Sequence, residues 1–197
     1  MRVLNRRLAA LTLCLGLAAT SIFAAEDSSP KVKFATTAGD FVIEVYPDKA
    51  PKTVENFLQY VKDKHYDGTI FHRVINNFMV QGGGFDTAYV QKATRPPVVH
   101  EGREALAKGG PRNAVGTVVM ARTSDPNSAT AQFFINVKDN AFLDPSPQSP
   151  GYTVFGKVVS GMDVVEKIKS TPTGPGGPFP SDVPRTPVVI TSATLVK

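Results

Sequence analysis

The chain contains one cysteine, no tryptophan and three histidines in 197 residues. A lone cysteine, Cys14, cannot close an intramolecular disulfide, so the fold must be held by its core. His65, His72 and His100 show no metal-ligand spacing, and no second thiol completes a zinc set. No Gly-x-Ser-x-Gly run offers a nucleophile elbow. Gly82-Gly83-Gly84 is not followed by the Lys-Ser/Thr that a phosphate loop needs. Basic residues do not cluster with aromatics, which argues against nucleic-acid binding. The apolar run Leu8 to Ala19 is interrupted by Thr12, Cys14 and Gly16 and is too short to span a bilayer.

That run belongs to a distinct N-terminal segment. Arg2, Arg6 and Arg7 precede it, and Ala24 and Ala25 stand before the acidic pair Glu26–Asp27. The layout predicts a cleavable secretory signal peptide over residues 1–25, with the cut after Ala24 or Ala25. Cys14 follows Leu13, where a lipoprotein site wants a small residue. Removal of the leader would take the only cysteine and three arginines, leaving 19 Lys+Arg against 17 Asp+Glu. The sequence pI near 9.4 is therefore partly a property of the leader. The mature chain would carry no thiol and no membrane segment.

Residues 26–197 read as one domain. Hydrophobic content of 42% with 20% charged residues is ordinary for a chain that buries a core. Lys31 to Thr36 and Phe41 to Tyr46 flank Thr37-Ala38-Gly39-Asp40 and predict a hairpin. Pro51 opens a helix where its missing N–H costs nothing, and Val54, Phe57, Leu58 and Val61 form its apolar stripe. That helix should end near Lys64. Further strands are predicted at Thr69 to Val74, Phe78 to Gln81, Thr117 to Ala121, Gln132 to Asn136, Tyr152 to Val158 and Val188 to Val196, with a second helix over Gly161 to Lys169. The intervening stretches, including Asp86 to Arg112 and the proline-rich Thr171 to Pro187, read as loops, the latter as a stiff connector. Many short strands with turn signals predict a sandwich or a barrel, and spacing does not choose between them.

The chemistry concentrates in the stretch from Phe71 to Phe85. Strand alternation puts Phe71, Arg73 and Ile75 on one face; after the turn, Met79 and Gln81 share a face opposite Phe78 and Val80. An arginine beside Met and Gln on a sheet surface is ordinarily a solvated residue, and apolar neighbours are ordinarily core. Here, however, Met120-Ala121-Arg122, Gln132-Phe133-Phe134-Ile135-Asn136, Phe142-Leu143-Asp144 and Tyr152 to Val158 also set apolar groups beside polar ones.

Four runs in order, Phe71-His72-Arg73-Val74, Phe78-Met79-Val80-Gln81-Gly82-Gly83, Gln132-Phe133-Phe134-Ile135 and Val154-Phe155-Gly156-Lys157-Val158, resemble the signature runs of the cyclophilins, a family of peptidyl-prolyl cis-trans isomerases. The resemblance spans about Lys31 to Val196. It implies a mainly β fold, a closed eight-stranded antiparallel barrel capped by two α-helices, with the site on the outer face. It further implies that Arg73 is the catalytic arginine, and that Phe78, Met79, Phe134 and Leu143 wall a proline pocket. Gln81 and Gln132 would lie beside the peptide, and Ala121 and Arg122 would pair with its backbone. His72 stands beside the arginine, as in many relatives, and Phe71 and Phe133 are left as core. Phe142 and Tyr152 would also contact the substrate, and both depart from the eukaryotic pattern: Phe142 stands where tryptophan is frequent and Tyr152 where histidine is frequent. Exported bacterial members are more similar at both, and loss of the tryptophan implies weak cyclosporin binding.

The reaction implied asks little of the protein covalently. Rotation about an X–Pro amide must cross about 18–20 kcal/mol because resonance is lost at the twisted state. No bond is made or broken, so no nucleophile, metal or cofactor is expected. A fixed cation donor aimed at the pyramidal prolyl nitrogen or the preceding carbonyl favours the twisted state over the planar one. The arginine guanidinium, a rigid charged fork, suits that task, and an apolar pocket would hold the ring. The expected partners are proline-containing, unfolded or partly folded exported polypeptides in a bacterial periplasm, with the enzyme a monomer. Two other classes compete: a holdase that grips proline segments without turnover, and a barrel carrying a small apolar ligand inside. The large Phe and Ile content of the strands argues for a filled interior and against the second.

Overall fold

The computed structural model describes residues 29–196; the predicted leader over residues 1–25 lies outside the described residues. Ten strands and three α-helices are formed there. Strands β1 (Lys31–Thr36) and β2 (Gly39–Val45) make the expected hairpin, with Val32, Phe34, Phe41, Ile43 and Val45 buried in strict alternation. Helix α1 (Pro51–Lys62) starts on its proline and stops two residues before the expected end, where Lys64 takes a positive φ and closes the last turn. Strands β3 (Thr69–Ile75), β4 (Met79–Asp86), β5 (Thr117–Met120), β6 (Phe133–Asn136) and β7 (Val154–Ser160) follow, then helix α3 (Met162–Lys169) and the last strand β10 (Ile190–Leu195).

Eight strands form one antiparallel sheet in the order β10-β1-β2-β7-β5-β6-β4-β3. Its two edges meet. Gly68 N–H donates to Ile190 O at 2.8 Å, Phe71 N–H donates to Val188 O at 3.0 Å, and Ile70 bridges Val189. These bonds close the sheet into a barrel and remove its exposed edges, which a sandwich would have kept. Phe34, Phe41, Phe71, Phe133 and Phe155 point inward, and α1 adds Phe57; ring centroids lie as close as 4.9 Å (Phe57–Phe155) and 5.2 Å (Phe34–Phe41). Tyr66 is buried among them with its hydroxyl donating to Ala131 O at 2.9 Å. The interior is filled by side chains, so the carrier reading does not describe this molecule.

Three features differ from expectation. A short helix, α2 (Gly102–Ala107), lies in the predicted loop; six residues are too few to show a 3.6-residue stripe. The proline-rich connector contains a two-stranded hairpin, β8 (Thr173–Gly176) with β9 (Phe179–Pro184), which lies against β3. Strand β4 starts at Met79 rather than Phe78 and runs on through the three glycines to Asp86.

Candidate active site

The site is built by register. Reading across the sheet, Arg73 of β3 stands opposite Gln81 of β4, Gln81 opposite Phe134 of β6, Phe134 opposite Val119 of β5, and Val119 opposite Val154 of β7. These five residues form one row across the outer face. The interleaved row of Val80, Ile135 and Val118 points into the barrel. Met79, Val119, Phe134, Leu143 and Val154 thereby form a second apolar cluster outside the barrel, with Phe78, Ala121 and Tyr152 packed against it.

Backbone irregularity sets Arg73 in that row. Simple alternation would put Phe71 and Arg73 on one face. The β3–β4 register shifts between them, as a β-bulge does, so Phe71 is fully buried while Arg73 is exposed. Phe78 also escapes the expected alternation. It ends a tight turn, its N–H donating to Ile75 O at 3.0 Å, and so joins Met79 on the outer face instead of Val80 inside.

A pocket of 90 Å³ opens within this cluster, lined by Arg73, Phe78, Met79, Gln81, Ala121, Arg122, Phe134, Leu143 and Tyr152. All nine are residues singled out in the sequence. Gln132 lies just beyond, lining an adjoining pocket of 330 Å³ that shares Gln81, Ala121 and Arg122 with the first. Its side-chain oxygen accepts from Gln81 Nε2 at 3.0 Å. Phe142 lines neither pocket; it is 72% exposed and stacks on Phe78 at the rim, with ring centroids 5.7 Å apart. Gly84 makes the pairing of the two glutamines fit: a Cβ there would fall 2.5 Å from Gln132 Cγ.

His72 is not a pocket residue. It is 3% exposed, with its ring 4.7 Å from Phe85 and 5.3 Å from Phe179 of the β9 strand. Burial lowers its pKa to about 4 against a hydrogen bond to the Ile70 backbone, and the charge of Arg73 acts in the same sense as burial. It is a neutral anchor for the β8–β9 hairpin.

Sequence reasoning missed the support behind the pocket. Asn140 Nδ2 donates to Phe78 O at 2.9 Å and to Asn136 Oδ1 at 2.7 Å. Asn136 in turn donates to Asn113 and Thr117, and Asp144 accepts from the backbone and side chain of Asn113 at 2.8 and 2.9 Å. The chain ties the turn bearing Phe78 to the segment bearing Leu143. Its members come from four separate stretches, and no spacing rule connects them.

The comparison with known proteins fits this geometry. Residues 31–195 match the family model described as cyclophilin type peptidyl-prolyl cis-trans isomerase/CLD. The chain belongs to the cyclophilins. It is 50% identical over 193 residues to peptidyl-prolyl cis-trans isomerase A of Dickeya dadantii, covering 98% of both chains. It is 53% identical over 167 residues to peptidyl-prolyl cis-trans isomerase B of Escherichia coli, covering 83% of this chain and 98% of that one. A Cryptosporidium parvum cyclophilin solved in the presence of the dipeptide Ala-Pro superposes with a TM-score of 0.66 at 23% identity, over 85% of this chain and 99% of that one; at this identity the likeness concerns the fold. The molecule is thus a cyclophilin with peptidyl-prolyl cis-trans isomerase activity, and a non-catalytic holdase role is not favoured.

Proposed function

We propose that this cyclophilin speeds X–Pro rotation in exported polypeptides as they fold, with Arg73 as the transition-state donor and the outer pocket as the proline site. The observation that carries the reading is the joining of one cation, Arg73, to an apolar wall of Phe78, Met79, Phe134 and Leu143 in a single small pocket. Among the described residues Arg73 has no carboxylate partner, so its guanidinium is available to a substrate. The pocket walls lower the local dielectric, which strengthens whatever charge interaction Arg73 makes with the twisted amide. Gln81 and Gln132 offer amide groups to the peptide flanking the ring. Slow prolyl isomerisation limits folding, which gives such an enzyme a use wherever unfolded chains arrive.

The test is relaxation of a short Ala-Pro peptide with protein beginning at Ala25 or Glu26. The wild type should accelerate it, and Arg73→Ala should reduce kcat/KM by about 10²-fold, or about 2.7 kcal/mol. Full activity in a folded Arg73→Ala protein would remove the arginine from the mechanism. Export into the periplasm rests on the N-terminal sequence pattern. It is tested by fractionation and N-terminal sequencing, with a first residue of Ala25 or Glu26 expected; a cytoplasmic protein retaining Met1 would refute it.

A further inference from the structure

Two arginines line the groove, and among the described residues neither has a carboxylate partner. Arg122 stands on the wall common to the 90 Å³ and 330 Å³ pockets. Its Nε and Nη2 donate to Gly151 O at 3.3 and 2.9 Å, its Nη1 donates to Thr123 O at 2.8 Å, and the guanidinium lies 4.3 Å above the Tyr152 ring. Every one of these partners is uncharged. They fix the group without cancelling its charge, unlike Arg95 and Arg112, which are paired with Asp63 at 2.8 Å and Asp144 at 3.2 Å. The larger pocket is otherwise lined by Gln81, Gln91, Gln132 and the hydroxyls of Thr94, Ser128 and Thr130, and no carboxylate lines either pocket.

We infer that Arg122 makes this enzyme selective for acidic proline segments, those with Asp or Glu within two residues of the proline. The inference rests on the proline occupying the smaller pocket. Adjacent Cα atoms are 3.80 Å apart, so a residue one or two positions from that proline falls over the pocket sharing its wall. There a carboxylate is attracted by a preorganised cation, while a lysine is repelled by it; the surrounding amide and hydroxyl groups can bond either. Preorganisation matters because the guanidinium is already held by three carbonyl contacts and a ring, so little side-chain entropy is lost on binding.

The experiment compares blocked peptides carrying Glu, Gln or Lys at each of the two positions before and the two after proline. In wild type, kcat/KM should follow Glu above Gln above Lys at one or more positions, with about a tenfold spread between Glu and Lys at low salt. The spread should shrink between about 0.01 M and about 1 M salt, as the Debye length falls from ~30 to ~3 Å. Arg122→Gln keeps an amide donor for Gly151 O but no charge, and its Glu-to-Lys ratio should approach one whatever its absolute rate. Should that variant not fold, the wild-type series and its salt dependence decide the matter alone. Equal rates for the three peptides at all four positions would overturn the inference while leaving the isomerase reading intact. A spread that persists in Arg122→Gln would overturn the assignment to Arg122. Inactivity on every peptide, neutral ones included, would bring down the reading of the site itself.

Discussion

At the scale of single residues, the site depends on small side chains as much as on charged ones. Gly83 has φ of +84°, a conformation that side chains rarely adopt, and Gly84 lies closely packed against the Gln132 side chain. Gly84→Ala would drive a methyl group into Gln132 Cγ and Cδ and break the 3.0 Å bond to Gln81. Loss of one such positioned amide costs on the order of 1 kcal/mol, so kcat/KM on the Ala-Pro peptide should fall about five- to tenfold with the fold preserved by circular dichroism. Unchanged kinetics would mean that the two glutamines do not touch substrate. Phe142 illustrates the limit of residue-by-residue transfer. The resemblance implies that it contacts substrate, yet here it stands outside the pocket, reaching it only through Phe78.

At the scale of elements, helix α1 is held by a residue that no local pattern marks. Its N-cap position, Ala50, has no side-chain group to offer. The carboxylate of Glu101, 3% exposed and about fifty positions away in the chain, accepts from Lys52 N at 3.2 Å, Thr53 N at 2.8 Å and Thr53 Oγ1 at 2.7 Å. An anion at a helix N-terminus satisfies orphan N–H groups and complements the helix dipole. Glu101→Ala leaves those donors buried and unpaired and should cost about 1–3 kcal/mol in urea-induced unfolding. A change below a few tenths of a kcal/mol would show that water replaces the cap freely. Because Glu101 lies beyond the site, peptide kinetics at low temperature should hardly change.

At the scale of the whole molecule, the three histidines act in one direction. Burial is the leading cause at each of His65, His72 and His100 and lowers the pKa of all three, and for His72 the value reaches about 4 from an ordinary 6.5. The unfolded chain therefore binds protons between pH 6.5 and 4 that the native state refuses. Stability attributable to His72 is complete above about pH 6.5 and is lost as pH falls through that window, to a total of at most about 3 kcal/mol. Urea midpoints should decline from pH 7 to 4.5, and His72→Phe, whose ring can sit between Phe85 and Phe179, should decline less steeply. Parallel declines in the two proteins would remove His72 as a cause.

Several parts of this architecture were legible in the amino-acid order alone. Alternation in Phe41-Val42-Ile43-Glu44-Val45 and the stripe on α1 are local, because each depends on one element's own period. Much of the pocket was legible too, since five of its nine lining residues, Arg73, Phe78, Met79, Gln81 and Phe134, sit in the four runs whose order resembles one family. What the sequence could not determine involves pairs far apart in the chain. The β3 bulge that turns Arg73 outward depends on its register with β4, and the closure of barrel over sandwich depends on Phe71 and Gly68 meeting Val188 and Ile190. The Glu101 cap, the asparagine chain behind Phe78 and the seating of Phe179 on His72 likewise join stretches that no local period relates. Local periodicity fixes which face of an element is apolar; only the folded chain decides which distant groups satisfy one another's hydrogen bonds, because that depends on register and packing between elements.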